Sequence, residues 1–312
     1  MNPASAAHSR ALQYLLFAAA LMPFYLLPLW AGLFSAKYSF TGQQLGMLLS
    51  ADMAFGTAAS LLARLWIHRL PWRPPLITAI LFAGIANFFC VYSSDFATLL
   101  SLRCLAGFAA GSMMAFPYAS LASYENPDRE FSLALALQVF LGAGALLLVS
   151  HFDADGNDDL GFVLCSICAL LPLMFITSCP NRNPGLSVES ETSNTPAPLS
   201  LFLVLALTAV CLFFTALTAI WVFMERLGSE LGINNSLVAS ILALGLLFSF
   251  VGAISPSLAI SYLQRHTLLK LAYVFLLVSI VGTGLSSLVV IFALSIAVYN
   301  FFYSFMIPLQ TA

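Results

Sequence analysis

Two ionisable side chains stand inside otherwise apolar stretches, Asp52 and Arg103. A carboxylate can take up and release a proton, whereas a guanidinium holds its own. Placed together, they would turn protonation into a change of electrostatic attraction. Arg103, Gly107 and Gly111 recur at every fourth position and share one helical face. Asp52, Gly56, Ala59 and Ala63 make a second small-residue stripe. Glycines on such faces let helix backbones come close, so Gly56, Gly107 and Gly111 are expected to pack helices. Each charge falls about 10 Å inside its segment at 1.5 Å per residue. An arginine there costs about 2.5–3.5 kcal/mol on insertion scales, so protein or a watery cavity should surround it. A packing lock, or a guanidinium reaching outward, is the alternative for Arg103. Spacing does not say whether the two stripes face each other.

Other polar positions are sparse. Gln138 and Asn300 could hydrogen-bond a small solute or a neighbouring helix. Tyr25, Trp221, Tyr299 and Tyr303 could line an aromatic pocket or fill space against lipid. Pro23, Pro28 and Pro117 should bend their helices. The pair Cys165-x-x-Cys168 has metal-site spacing, but no His or acid is near it, and cysteine in an apolar run acts as a small hydrophobe. Asp153, Asp155, Asp158 and Asp159 resemble a calcium loop without its closing Glu, which reads as a solvated acidic loop. No phosphate-cradling glycine loop, His-Glu-x-x-His or nucleophile–base set is present, so neither an enzyme nor an ATP-driven pump is expected, and no cofactor or metal.

The elements that would position these residues follow from composition. The chain has 312 residues, 61% hydrophobic and only 8% charged, with a net charge of −2. A soluble domain carries about 25% charged residues, so the lipid bilayer is the expected surroundings. The near-neutral balance speaks against a nucleic-acid partner. Runs long enough to span a membrane occur at 12–34, 46–65, 75–93, 97–121, 131–150, 161–178, 200–224, 237–260, 268–285 and 288–307. The first is too long for a signal peptide and lacks a cleavage site. With the N-terminus in the cytoplasm, Arg10, Arg64, Arg69, Arg73, Arg129, Arg182, Arg265 and Lys270 lie inside and only Lys37 and Arg226 outside, as the positive-inside rule requires. Trp30, Trp66 and Trp72 then fall at membrane interfaces.

Residues 179–199, rich in Ser, Thr, Asn, Pro and Glu, read as a flexible cytoplasmic linker. They divide the chain into a six-helix bundle, 1–178, and a C-terminal bundle of about four helices, 200–312. Phe40–Ser50, running on to His68-Arg69, is matched in position by Leu231–Ser240, running on to Arg265-His266. This weak likeness suggests halves related by a parallel repeat, as in many transporters.

Leu102-Arg103-x-x-x-Gly107-x-x-x-Gly111, with the six-plus layout and the polar inner linker, resembles the major facilitator superfamily. That resemblance implies an all-α polytopic bundle moving a small solute by alternating access, with the fourth-span arginine aiding proton coupling and protons as a co-substrate. The expected location is a bacterial cytoplasmic (inner) membrane. The loop Arg64-Leu-Trp-Ile-His68-Arg69-Leu-Pro-Trp-Arg73 keeps the family's basic residues and lacks its acid. Gly142 and Gly144 stand in the fifth span without the Gly-Pro of drug/proton antiporters. A complete member would have two more spans, so the second half reads as incomplete. The competing readings are a ten-span drug/metabolite-type transporter, which conflicts with a linker after span six, and a non-transporting sensor or degenerate protein.

Overall fold

The computed structural model describes residues 3–67, 69–153, 159–179, 201–259 and 262–311. The linker expected over 179–199 lies outside them apart from Cys179, and so does most of the acidic loop between Asp153 and Asp159. The described elements are all helical: α1 (Pro3–Ala20), α2 (Met22–Lys37), α3 (Gly42–Trp66), α4 (Arg73–Cys90), α5 (Phe96–Leu121), α6 (Pro127–Asp153), α7 (Leu160–Leu170) with a 3-10 continuation (Leu171–Ser178), α8 (Leu201–Glu230), α9 (Asn235–Ala259), α10 (Arg265–Leu285) and α11 (Val289–Thr311). Among the described residues, ten stretches are long and apolar enough to cross a membrane.

Span one is built from two helices. The chain breaks at Leu21, and Pro23 opens α2 in its first turn, where a missing N–H costs nothing. Span six tightens to 3-10 geometry at Leu171-Pro172 for the related reason that proline cannot donate to the preceding turn. Helix starts follow local chemistry. Thr41 and Gln44 form a reciprocal capping box on α3. Asp95 accepts from the Thr98 amide at 2.8 Å, which holds this exposed carboxyl below its usual range. Asn234 Oδ1 accepts from the Ser236 amide at 2.8 Å at the start of α9.

Helices α1–α7 pack mainly among themselves, as do α8–α11; the two groups meet where α6 lies on α9 and α2 lies on α8. The lower part of span one, α1, packs against α5, α6 and α7. There the Tyr14 hydroxyl donates to Glu130, and Arg10 Nε lies 3.8 Å from the same carboxylate. At the other face Lys37 Nζ is 3.4 Å from Asp159.

Two tryptophans are not where the sequence put them. Trp30 is buried, stacked on Phe162 with ring centres 4.9 Å apart. Trp72 is buried too, its indole donating to the Ile67 carbonyl at 2.7 Å to close the turn between α3 and α4. Aromatic residues near a span's end suit an interface belt only when their helix faces lipid, and these faces turn inward. Span seven also runs on to Glu230, past the expected end at 224.

Candidate functional site

Arg103 and Asp52 meet. Arg103 Nε and a terminal nitrogen both reach Asp52 Oδ2, at 2.9 and 2.5 Å, and the other terminal nitrogen reaches Asn87 Oδ1 at 2.8 Å. Arg103 is 1% exposed and Asp52 4%, so the guanidinium does not reach outward. Its face is covered by the rings of Trp30, 4.7 Å away, and Phe162, at 5.9 Å. The buried cation is thus met by a carboxylate, an amide oxygen and two π faces. Both guanidinium contacts fall on one carboxylate oxygen; Asp52 Oδ1 has no hydrogen-bond partner among the described residues. Asn87 escaped the sequence reading, and Trp30 was read there only as an interface residue. An asparagine within an apolar run was the available signal for the first; nothing local marked the second.

The glycines bring the two helices together. A Cβ on Gly107 would stand 2.6 Å from the Asp52 Cα, and one on Gly111 would stand 2.7 Å from the Gly56 Cα. At Gly56 the nearest atom would be the Gly107 carbonyl oxygen at 3.2 Å. Ser60 Oγ completes the seam by donating to the Gly111 carbonyl at 3.2 Å. The second group repeats this device between α9 and α11. Ser249 Oγ donates to the Asn300 carbonyl at 2.9 Å, and Gly245 and Gly252 lie against Asn300 and Phe301. In that register Gly245 answers to Gly56, while Ile241 and Phe292, both buried, answer to Asp52 and Arg103.

A cavity of about 410 Å³ lies between the two helix groups. Tyr25, Gln138, Trp221 and Asn300 all line it, with Phe24 and Tyr299. Gln138 Nε2 donates to the Tyr25 hydroxyl at 3.0 Å, and Gly142 leaves room for the Tyr25 ring. The Tyr299 hydroxyl donates to the Leu217 carbonyl at 2.9 Å, and Asn300 Nδ2 donates to the Ile296 carbonyl at 3.0 Å. A second cavity of about 280 Å³ is lined by Asp52, Gly56, Gly107 and Gly111. Leu21, Met53 and Tyr118 border both, so the ion pair stands one wall away from the central space.

The roof joins the groups. Pro28 has no N–H to give the Phe24 carbonyl one turn back. The Trp221 indole, from α8, donates to that carbonyl at 3.0 Å, and its ring stacks on Phe24 at 6.3 Å and 19°. Farther along, Gly32 lets the buried carboxyl of Glu225 lie against α2. Glu225, like Glu130, was not singled out from sequence.

Residues 14–312 match the Major Facilitator Superfamily, and the chain belongs to that family. It is therefore a transporter rather than an enzyme, of the secondary class. No curated protein matches the sequence. Among solved structures, the xylose transporter XylE from E. coli, in an inward open conformation, has a TM-score of 0.63 at 16% identity, with 95% of this chain and 79% of that one covered. The nucleoside transporter NupG, as a D323A mutant, has 0.62 at 15%, covering 95% and 80%. A bacterial homologue of the human lysosomal transporter Spinster, inward-facing and unoccupied, has 0.61 at 13%, covering 99% and 75%. At these identities the likeness is one of fold.

Proposed function

We propose that the chain carries a small solute through the central cavity by alternating access, with the bundles 1–178 and 200–312 as the moving halves and 179–199 as their cytoplasmic linker. The carrying observation is that the cavity draws its walls from both groups, with Tyr25 and Gln138 on one and Trp221 and Asn300 on the other. Rocking one half against the other would change which side reaches these residues. The contact of α2 with α8, set against α1's packing within its own group, supports a state closed at the α2 end and open toward the N-terminus. With the N-terminus in the cytoplasm of a bacterial cell and the inner membrane as its site, that state faces inward. Structures of similar fold in inward-facing conformations support the same reading.

Proton coupling belongs to this proposal. One structural neighbour is a D-xylose–proton symporter, with a TM-score of 0.63 and 15% identity. Here the coupling groups are Asp52 and Arg103. A proton on Asp52 would cancel the charge that holds Arg103, loosening the seam between α3 and α5 beside the cavity. The test is solute uptake and internal pH measured together in proteoliposomes under an imposed pH gradient. Solute-dependent proton movement is the expected result. Uptake that proceeds with no proton movement removes the coupling, and a chain that binds solute yet never moves it removes transport.

A further inference from the structure

We infer that the cavity takes an uncharged solute with a flat aromatic face and a hydrogen-bonding edge, such as a neutral nitrogen heterocycle. This rests on the transport reading above. Charge comes first. Among the described residues that line the central cavity there is no Asp, Glu, Lys, Arg or His. The nearest carboxylate on the neighbouring chamber, Asp52, is already held by Arg103. An ion entering here would give up its hydration without gaining a counter-charge. A neutral solute avoids that loss.

Shape comes second. The walls present flat rings rather than a mesh of polar groups. Phe24 and Trp221 lie within 19° of parallel where the two groups meet. Tyr299 and Tyr303 lie within 12° of parallel on the second group. Ring faces attract other π faces in offset stacks, and 410 Å³ is ample for a one- or two-ring solute.

Polarity comes third. Tyr299, Ser249, Asn300 and Trp221 already donate to backbone carbonyls, while Tyr118, Thr218, Tyr303 and Ser304 add hydroxyls to the lining. Tyr25 and Gln138 differ. Gln138 gives its amide proton to Tyr25, which leaves the phenol proton of Tyr25 for another acceptor. The carbonyl Oε1 of Gln138 is buried and has no partner among the described residues. A buried acceptor without a donor is costly, and a solute N–H that reached it as the side chain turned toward the cavity would supply one. One donor beside one acceptor suits the edge of a lactam.

The test is equilibrium dialysis of the purified full chain with radiolabelled uracil, 1,3-dimethyluracil, D-xylose and benzoate. Saturable uracil binding is expected, with dimethyluracil about tenfold weaker because its N–H groups are gone. Benzoate, charged, and D-xylose, not flat, should bind no better than background. In Gln138→Leu the preference for uracil over dimethyluracil should vanish. The comparison on the unaltered protein stands even if that variant fails to fold. Equal binding of the two uracils overturns the edge, and preferential binding of benzoate overturns the neutrality. Transport of D-xylose with no uracil binding overturns the class while leaving the transport reading intact. Uracil that binds and never crosses the membrane leaves the class intact and defeats transport instead.

Discussion

The pair Asp52–Arg103 and its apolar counterpart Ile241–Phe292 occupy matching places in matching helix seams. The second seam closes without charge, so close packing of this kind does not require an ion pair. Buried pairs are seldom a source of stability, since desolvation offsets much of the attraction. That comparison predicts an asymmetric double-mutant cycle. Asp52→Ile strands a cation that cannot discharge, and should lower stability in detergent by about 3–5 kcal/mol. Arg103→Phe leaves a carboxylic acid that can be protonated, and should cost less. The double variant should recover most of the loss, borrowing the solution of the second seam, while proton-linked uptake stays absent. Independent, additive losses would show that the pair does not couple. Asp52→Asn with uptake of unaltered pH dependence would make Asp52 structural. Gly111→Ala tests the seam itself. With the Gly56 Cα only 2.7 Å from the added carbon, the backbones must part, at about 1–3 kcal/mol.

At the scale of the element, span one carries the decisive irregularities. Its break at Leu21 faces both cavities, and its proline at position 28 leaves a carbonyl for the other helix group to bind. A straight helix would satisfy Phe24 internally and leave the Trp221 indole without that acceptor. Alternating access requires the α2–α8 contact to part, so this bond should weigh the balance between the two faces. Trp221→Phe keeps the ring and loses the donor. Pro28→Ala restores the donor within the helix. Each should shift the population toward the face now closed by severalfold, as one neutral hydrogen bond is worth about 1 kcal/mol. The check is alkylation, from the α2 side by a membrane-impermeant reagent, of a cysteine placed at Thr218 on the cavity, in a cysteine-free background. Faster labelling in both variants, with no further gain when they are combined, is expected; unchanged labelling would show that the bond does not hold the roof.

For the whole molecule the orientation is the first quantity to measure. Cysteines introduced singly at Gly42, near the α2 end, and at Ser304, on the cavity, distinguish the faces. A membrane-impermeant maleimide should reach the first in right-side-out vesicles and the second in inside-out vesicles. The reverse pattern would invert the topology and make the state outward-facing. Labelling at Ser304 from both sides would contradict a closed roof.

Composition by itself determined that the chain lives in a bilayer, because so few charges cannot cover a water-exposed surface of this size. Helix number and most boundaries followed, since lipid forces every backbone group into an internal hydrogen bond and so makes apolar length readable. The glycine spacing on α5 likewise announced a face that another helix must approach. Pairing was beyond it. Nothing in the spacing of Asp52 or Arg103 states that α3 and α5 lie against each other, or that Asn87 and Trp30 complete the cage around the guanidinium. The burial of Trp30 and Trp72 was misread because the side of a helix that meets protein is set by its neighbours rather than by its sequence position. Phe24, Trp221 and Pro28 become one device only when separate parts of the chain are brought into contact. That placement depends on how whole helix faces pack, and tertiary structure alone decides it.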